Sequence, residues 1–374
     1  MKGKMSKINI LNDPEEMRKV DLSDMLSFCV KAPYHYEKAS QLAKNISINY
    51  PKPKTVLVAG MGGSAIGGEL VKDWARDKIA VPIEICREYS LPTYADKNTL
   101  VIIVSYSGET EETLSVFLDA IKRRCMTFCI SSGGALQKFA EKLNVPHLLV
   151  PSGMAPRASL PYLFMPLPVL LEKVGLVSSV TSEVSDAVRS LRQVSEKNSP
   201  EKPLEKNIAK KMALNINGTI PVVYGFEIYC AVAHRLKTQF NENSKIPAKW
   251  EYFSELNHNE IVGWEAANEF AKYFSAIFIR DDSESEAMRT RIKTTQEFMR
   301  QKSLKIYEIK SIGNSKLAKI SSVICTGDFI SVYLAVLRGV DPTPVKSIAL
   351  LKDKLRQSGT KEKIMNELKK VARK

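Results

Sequence analysis

Hydrophobic positions along the chain fall into two kinds of pattern. Short continuous apolar runs, rich in valine and isoleucine and bounded by turn residues, mark strands buried on both faces of a parallel sheet. Thr55 to Ala59 (TVLVA), Ile83 to Cys86 (IEIC), Leu100 to Ser105 (LVIIVS), Met126 to Ile130 (MTFCI) and His147 to Val150 (HLLV) are five such runs. They recur about every 20 residues with amphipathic helical patterns between most of them, the spacing of βαβ units, which predicts a doubly wound sheet. A second set follows a polar, lysine-rich interval around Glu196 to Lys211: Ile220 to Tyr224 (IPVVY), Tyr273 to Ile279 (YFSAIFI) and Leu304 to Ile309 (LKIYEI). The second half therefore reads as a looser copy of the first, with the boundary near residues 176 to 210. The predicted fold class is α/β, two doubly wound parallel sheets flanked by helices. The expected domains are 51–190 and 205–374, the latter including a C-terminal helix, and residues 1–50 are expected as helices covering one face of the first sheet.

Length and composition agree with two domains: 374 residues at about 150 per domain, 44% of them apolar. The apolar stretches Thr99 to Val104 and Leu160 to Leu171 fall short of the roughly 18 to 20 residues a membrane span needs, and the second holds three prolines. The first residues, MKGKMSKINILNDPEE, turn acidic where a secretory signal would be apolar, so a cytoplasmic protein with no membrane partner is expected. Six cysteines (Cys29, Cys86, Cys125, Cys129, Cys230, Cys325) form no CxxC pair and sit mostly in apolar runs, which predicts free, buried thiols. The net charge of +14 admits an anionic partner, but the excess is diffuse. Its densest part, KEKIMNELKKVARK, has apolar residues at helical spacing and reads as a solvated helix rather than a nucleic-acid arm. No nucleic-acid partner is expected.

Two segments carry candidate chemistry. GMGGSAIGG, Gly60 to Gly68, follows a strand and opens a helix, where glycines let backbone approach a ligand and helix amides attract an anion. Gly60, Gly62 and Ala65 also satisfy a dinucleotide fingerprint with Glu84 or Glu88 downstream, although Glu84 lies inside its strand and Arg87 stands beside Glu88. SYSGETEET, Ser105 to Thr113, brings three hydroxyls (Ser105, Ser107, Thr110) and the Gly108 amide to a helix expected to begin around Glu109, at the carboxyl end of a parallel strand. This is the chemistry of a phosphate cradle. It lacks the lysine of a nucleoside-triphosphate loop. Ser107 and Thr110 could alternatively do no more than cap the helix.

Through SYSGETEET and the preceding glycine loop the chain resembles the sugar isomerase (SIS) domain proteins. PRASLPYLF (Pro156 to Phe164), RLKTQFNENSKIPA (Arg235 to Ala248), ELNHNEIVGW (Glu255 to Trp264) and DPTPVKSIALLK (Asp341 to Lys352) follow in order and resemble the bifunctional phosphoglucose/phosphomannose isomerases. The resemblance implies two SIS domains, a homodimer, and cofactor-free, metal-free interconversion of glucose 6-phosphate and mannose 6-phosphate with fructose 6-phosphate. It implies that Ser64, Ser105, Ser107 and Thr110 hold the phosphate, with the Gly62 and Gly63 amides close by.

Aldose-ketose isomerisation needs one carboxylate to move a proton between C1 and C2. Glu242, between two asparagines in a loop expected after the helix Cys230 to Gln239, is the candidate, with a plain NEN turn as the alternative. Ring opening suits histidine. His258 alone of the four histidines lies in a polar, asparagine-flanked segment; the family's matching histidine is supplied by the neighbouring subunit. Arg157 resembles the guanidinium that stabilises the enediolate. Lys352, near the end of a helix beginning after Pro344, resembles a lysine on the sugar oxygens, with Lys346 close enough to compete. A glucosamine-phosphate isomerase or deaminase, a non-catalytic sugar-phosphate sensor and a dinucleotide-dependent oxidoreductase are the alternative functions.

Overall fold

The computed structural model describes residues 9–373. Five parallel strands, β1 (Thr55–Ala59), β2 (Ile83–Cys86), β3 (Thr99–Val104), β4 (Met126–Ser131) and β5 (His147–Leu149), form one sheet in the order β2-β1-β3-β4-β5. β3 and β4 are buried at every residue, which is why their sequences run apolar without alternation. The order steps from β1 outward to β2 and then returns to β3. The carboxyl ends of β1 and β3 are therefore the topological switch point, where open α/β sheets bind ligands.

A second parallel sheet, β6 (Ile220–Phe226), β7 (Lys249–Phe253), β8 (Phe274–Arg280) and β9 (Lys305–Lys310), has the order β7-β6-β8-β9. This is the winding of the first four strands repeated. β7 (KWEYF) is absent from the sequence reading, because as an edge strand it keeps lysine and glutamate and buries only Phe253.

The chain divides into two compact units. His35–Ser182 and the segment from Val345 onward form the first-sheet unit; Glu183–Pro344 and the described residues up to Tyr34 form the second-sheet unit. Both chain ends thus depart from the expected assignment. The helix Met25–Val30 packs on the helix Lys316–Leu337, and the Ser195 hydroxyl donates to Val30 O at 2.7 Å, so this part of the N-terminal segment belongs with the second sheet. Only residues from His35 on serve the first sheet, for example through Tyr50, whose hydroxyl donates to Thr127 O of β4 at 2.8 Å. At the other end, the helix Thr360–Val371 inserts Ile364 and Leu368 into the first-sheet core beside Leu114, Phe117 and Leu118.

Lys316–Leu337 is the core helix of the second-sheet unit; only Lys316, Lys319 and Asp328 of its 22 residues are not buried. Its length and apolarity would suit a bilayer, a feature the sequence reading passed over, but its surface is covered by protein. None of the six cysteines is in a disulfide; five are buried and Cys230 is half-buried.

Candidate active site

After β1 the backbone turns through Gly62 (φ +51°) into the helix Gly63–Ala75. After β3 it turns through Ser105–Thr110, with Gly108 at φ +66°, into the helix Glu111–Lys122. Two helix N-termini therefore open at the same end of the sheet, on either side of the switch point, where helix starts attract anions. The loops touch: the Tyr106 amide donates to the buried Ser64 Oγ at 3.3 Å. Ser105 Oγ donates to Thr110 Oγ1 at 3.0 Å, and Ser107 Oγ, exposed, accepts from the Glu109 amide at 3.2 Å. Thr110 is the residue preceding the helix, yet its side chain makes no capping bond. The helix starts at Glu111 rather than near Glu109, and the simple capping alternative for Thr110 is not what its hydroxyl does.

Arg157 lies in the loop between β5 and the helix Leu160–Phe164 and is 2% exposed. The loop sits against the glycine turn: a Cβ on Gly63 would stand 3.3 Å from Pro156 O and 3.6 Å from Arg157 Cα. Tyr106, the middle residue of SYS, braces the same loop. Its phenol donates to Pro151 O at 3.0 Å and accepts from the Met154 amide at 3.0 Å, while burial raises its pKa and keeps the donor proton on. The sequence reading missed this role, since nothing local in SYSGET reveals a partner 45 residues away. Thr113, last residue of the motif, is a second omission: its Oγ1 is buried in the first turn of the helix without a partner among the described residues.

In the second-sheet unit, Glu242 is the last residue of the helix Cys230–Glu242, not part of a following loop. The helix is fixed by a stripe of polar residues four apart. Arg235 pairs with Asp328 at 3.5 Å, Gln239 Nε2 donates to Asp328 Oδ1 at 2.6 Å, and Asn243 Nδ2 donates to Ser331 Oγ at 2.9 Å. Both partners, Asp328 and Ser331, lie on the core helix. Glu242 stands about 100° round from Asn243 and so points off that stripe, half-buried. Two neighbouring side chains hold backbone: Asn241 Nδ2 donates to Ile246 O at 2.8 Å, and Lys245 Nζ donates to the Glu242 carbonyl at 2.5 Å.

His258 ends the 3₁₀ turn Glu255–His258 and is exposed. Its neighbours are fixed on both sides. Asn257 Nδ2 donates to Thr295 Oγ1 at 2.9 Å, and Asn259 Oδ1 accepts from the Glu260 amide at 2.6 Å. Glu260 in turn accepts from the Tyr224 hydroxyl at 2.7 Å, and burial raises its pKa. Hydrogen bonds tie down the residues on both sides while His258 itself is left on the surface. Lys346 and Lys352 lie on the helix Lys346–Gln357, which buries no residue; Lys352 is at its middle rather than near its end. The two lysines are about 240° apart around the axis, so they face different directions.

The structure therefore gathers Gly62, Gly63, Ser64, Ser105, Ser107, Thr110 and Arg157 at one end of the first sheet, and sets Glu242 and His258 on separate elements of the second-sheet unit. Twin parallel α/β sheets of one winding, with a hydroxyl-lined double helix terminus at a switch point, define a protein of the SIS class. A crystal structure of a hypothetical protein from Thermus thermophilus shares the fold, with a TM-score of 0.71 at 15% identity, covering 96% of this chain and 94% of that one. The family model of the bacterial phospho-glucose isomerase C-terminal SIS domain matches residues 205–355. The bifunctional phosphoglucose/phosphomannose isomerase of Caldicellulosiruptor bescii is 42% identical over 326 residues, 86% of this chain and 96% of that protein. That of Thermoplasma volcanium is 35% identical over 83% of this chain and 94% of its own. The chain belongs to the bifunctional phosphoglucose/phosphomannose isomerase family.

Proposed function

We propose that the protein is a cytoplasmic, homodimeric aldose-ketose isomerase that interconverts glucose 6-phosphate and mannose 6-phosphate with fructose 6-phosphate, without a metal ion or cofactor. The observation that supports it most is the pair of hydroxyl-bearing loops meeting at the carboxyl ends of β1 and β3, with the buried Arg157 seated on the glycine turn. The phosphate is held by the hydroxyls of Ser64, Ser105, Ser107 and Thr110 and by the Gly62 and Gly63 amides. His258, supplied by the second copy of the chain, moves the proton that opens the ring. The exposed apolar side chains of Val262, Phe270 and Tyr273, in the same segment as His258, suit a surface that a second copy covers.

Glu242 then takes the proton from C2 of the open-chain aldose and returns it to C1. The enediolate formed in between carries negative charge, which the Arg157 guanidinium stabilises. Lys352 contacts the sugar oxygens, with Lys346 on the same helix as the alternative. Glucose and mannose phosphates differ only at C2, so one base serves both when rotation about C1–C2 presents either face of the enediolate.

The test is incubation with fructose 6-phosphate and EDTA in D₂O. Deuterium at C2 of both aldose phosphates is expected. Loss of turnover on chelation, or aldose products without deuterium, would reject proton transfer in favour of a metal-assisted hydride shift.

A further inference from the structure

The helix Thr360–Val371 does more than fill the first-sheet core. Ile364 and Leu368 anchor it against the helix Glu111–Lys122, and Lys122 Nζ stands 3.5 Å from Glu367 Oε2. Its first turn reaches the SYSGET loop, where Lys361 Nζ lies 2.5 Å from Glu109 Oε2. Glu109 sits between Gly108 and Thr110, and its other carboxylate oxygen accepts from the Ala135 amide at 2.7 Å. One carboxylate thus ties the loop to two elements at once. The loop has little room to move on its other side, since a Cβ on Gly134 would stand 2.4 Å from Ser107 O. A carboxylate beside Thr110 would repel a bound phosphate unless a cation neutralises it. Lys361 is that cation, and it lies beyond the residues the family model matches.

We propose that Lys361 is a positioning residue for the phosphate loop: through Glu109 it fixes the loop and cancels the charge next to the phosphate. This rests on the reading of Ser105–Thr110 as the phosphate grip.

The experiment compares Lys361→Met, Lys361→Arg, Glu109→Gln, the Lys361→Met/Glu109→Gln pair and Ser107→Ala. It reads KM and kcat for fructose 6-phosphate, the Ki of inorganic phosphate, and Tm. The ion pair is partly exposed, so Lys361→Met is expected to raise KM and Ki by about two- to fivefold, with kcat and Tm kept. Lys361→Arg should retain the parent values. In the double variant KM and Ki should fall back toward them, because no uncompensated carboxylate remains. Unchanged KM and Ki in Lys361→Met, a lowered Tm alone, or additive effects in the double variant would overturn the proposal. Ser107→Ala separates the two readings: if it leaves KM and Ki unaltered, the grip assignment itself fails. If Ser107→Ala raises them and Lys361→Met does not, only the role of Lys361 fails.

Discussion

Replacing Gly108 by alanine tests the phosphate loop through its backbone. A Cβ at this position would stand 1.9 Å from Gly133 O and 2.9 Å from Gly133 C. Both are backbone atoms that cannot rotate away, so the loop and the start of the helix Gly134–Lys142 must separate by about 1.5 Å to reach ordinary contact. The φ of +66° adds about 1 to 2 kcal/mol for an L side chain. Strain and overpacking together should destabilise the protein by about 3 kcal/mol. A 1 Å displacement in a positioning loop can lower activity by roughly 100-fold. Gly175→Ala is the control, since Gly175 also has positive φ (+70°) but nothing within 4 Å of the added Cβ. It should show the strain alone, with unchanged kinetics. Urea unfolding gives the stability, and the KM for fructose 6-phosphate and Ki for inorganic phosphate report the loop. A Gly108→Ala protein with parental KM and Ki would refute the claim that this turn shapes the phosphate site.

Three further outcomes are expected. Gly327→Ala on the core helix places a Cβ 2.5 Å from Leu236 Cγ; overpacking of about 1 to 3 kcal/mol should outweigh the gain of about 1 kcal/mol in helix propensity. Urea midpoints should then fall, and a stabilised variant would contradict the tight seat of the Glu242 helix. Lys210 is buried, its ammonium donating to Pro200 O and Lys202 O at 2.7 Å each, and burial lowers its pKa to about 8 from 10.5. The folded pKa is the lower one, so the penalty is complete below pH 8, and stability rises as pH climbs from 8 to 10.5. The rise is at most about 3 kcal/mol at 1.36 kcal/mol per unit, less what the two carbonyls restore. Lys210→Met should abolish this component of the slope, and identical slopes in both proteins would exclude it. Finally, mixing the inactive Glu242→Gln and His258→Ala chains should regain up to about a quarter of parental activity, because a symmetric dimer with His258 supplied in trans leaves one intact site in each mixed dimer. No recovery, with mixed dimers shown to form, would place both groups in the same subunit.

The strands that could be read from the sequence are those whose physics is local. TVLVA, LVIIVS and MTFCI are apolar throughout because both faces are covered, and they were found to within a residue at either end. β7 was not legible, since an edge strand that keeps lysine and glutamate outward has no apolar run. The core helix Lys316–Leu337 is buried on all sides, which erases the 3.6-residue periodicity that announces a surface helix. For the C-terminal helix the apolar spacing was visible, but not the surface it covers, and it was assigned to the other unit. The site followed the same division. Gly62, Ser64, Ser105, Ser107 and Thr110 lie in two contiguous motifs, so their convergence follows from βαβ winding alone. Tyr106 bracing Pro151 and Met154, and Lys361 meeting Glu109, are pairings at long sequence separation that only the folded chain displays.

The most direct measurement is a crystal structure of the protein soaked with fructose 6-phosphate. The phosphate group is expected within hydrogen-bonding distance of the Ser64, Ser105, Ser107 and Thr110 hydroxyls, with the Glu242 carboxylate facing C1 and C2 in the assembled dimer. A phosphate bound elsewhere, or Glu242 turned away from both carbons, would contradict the account.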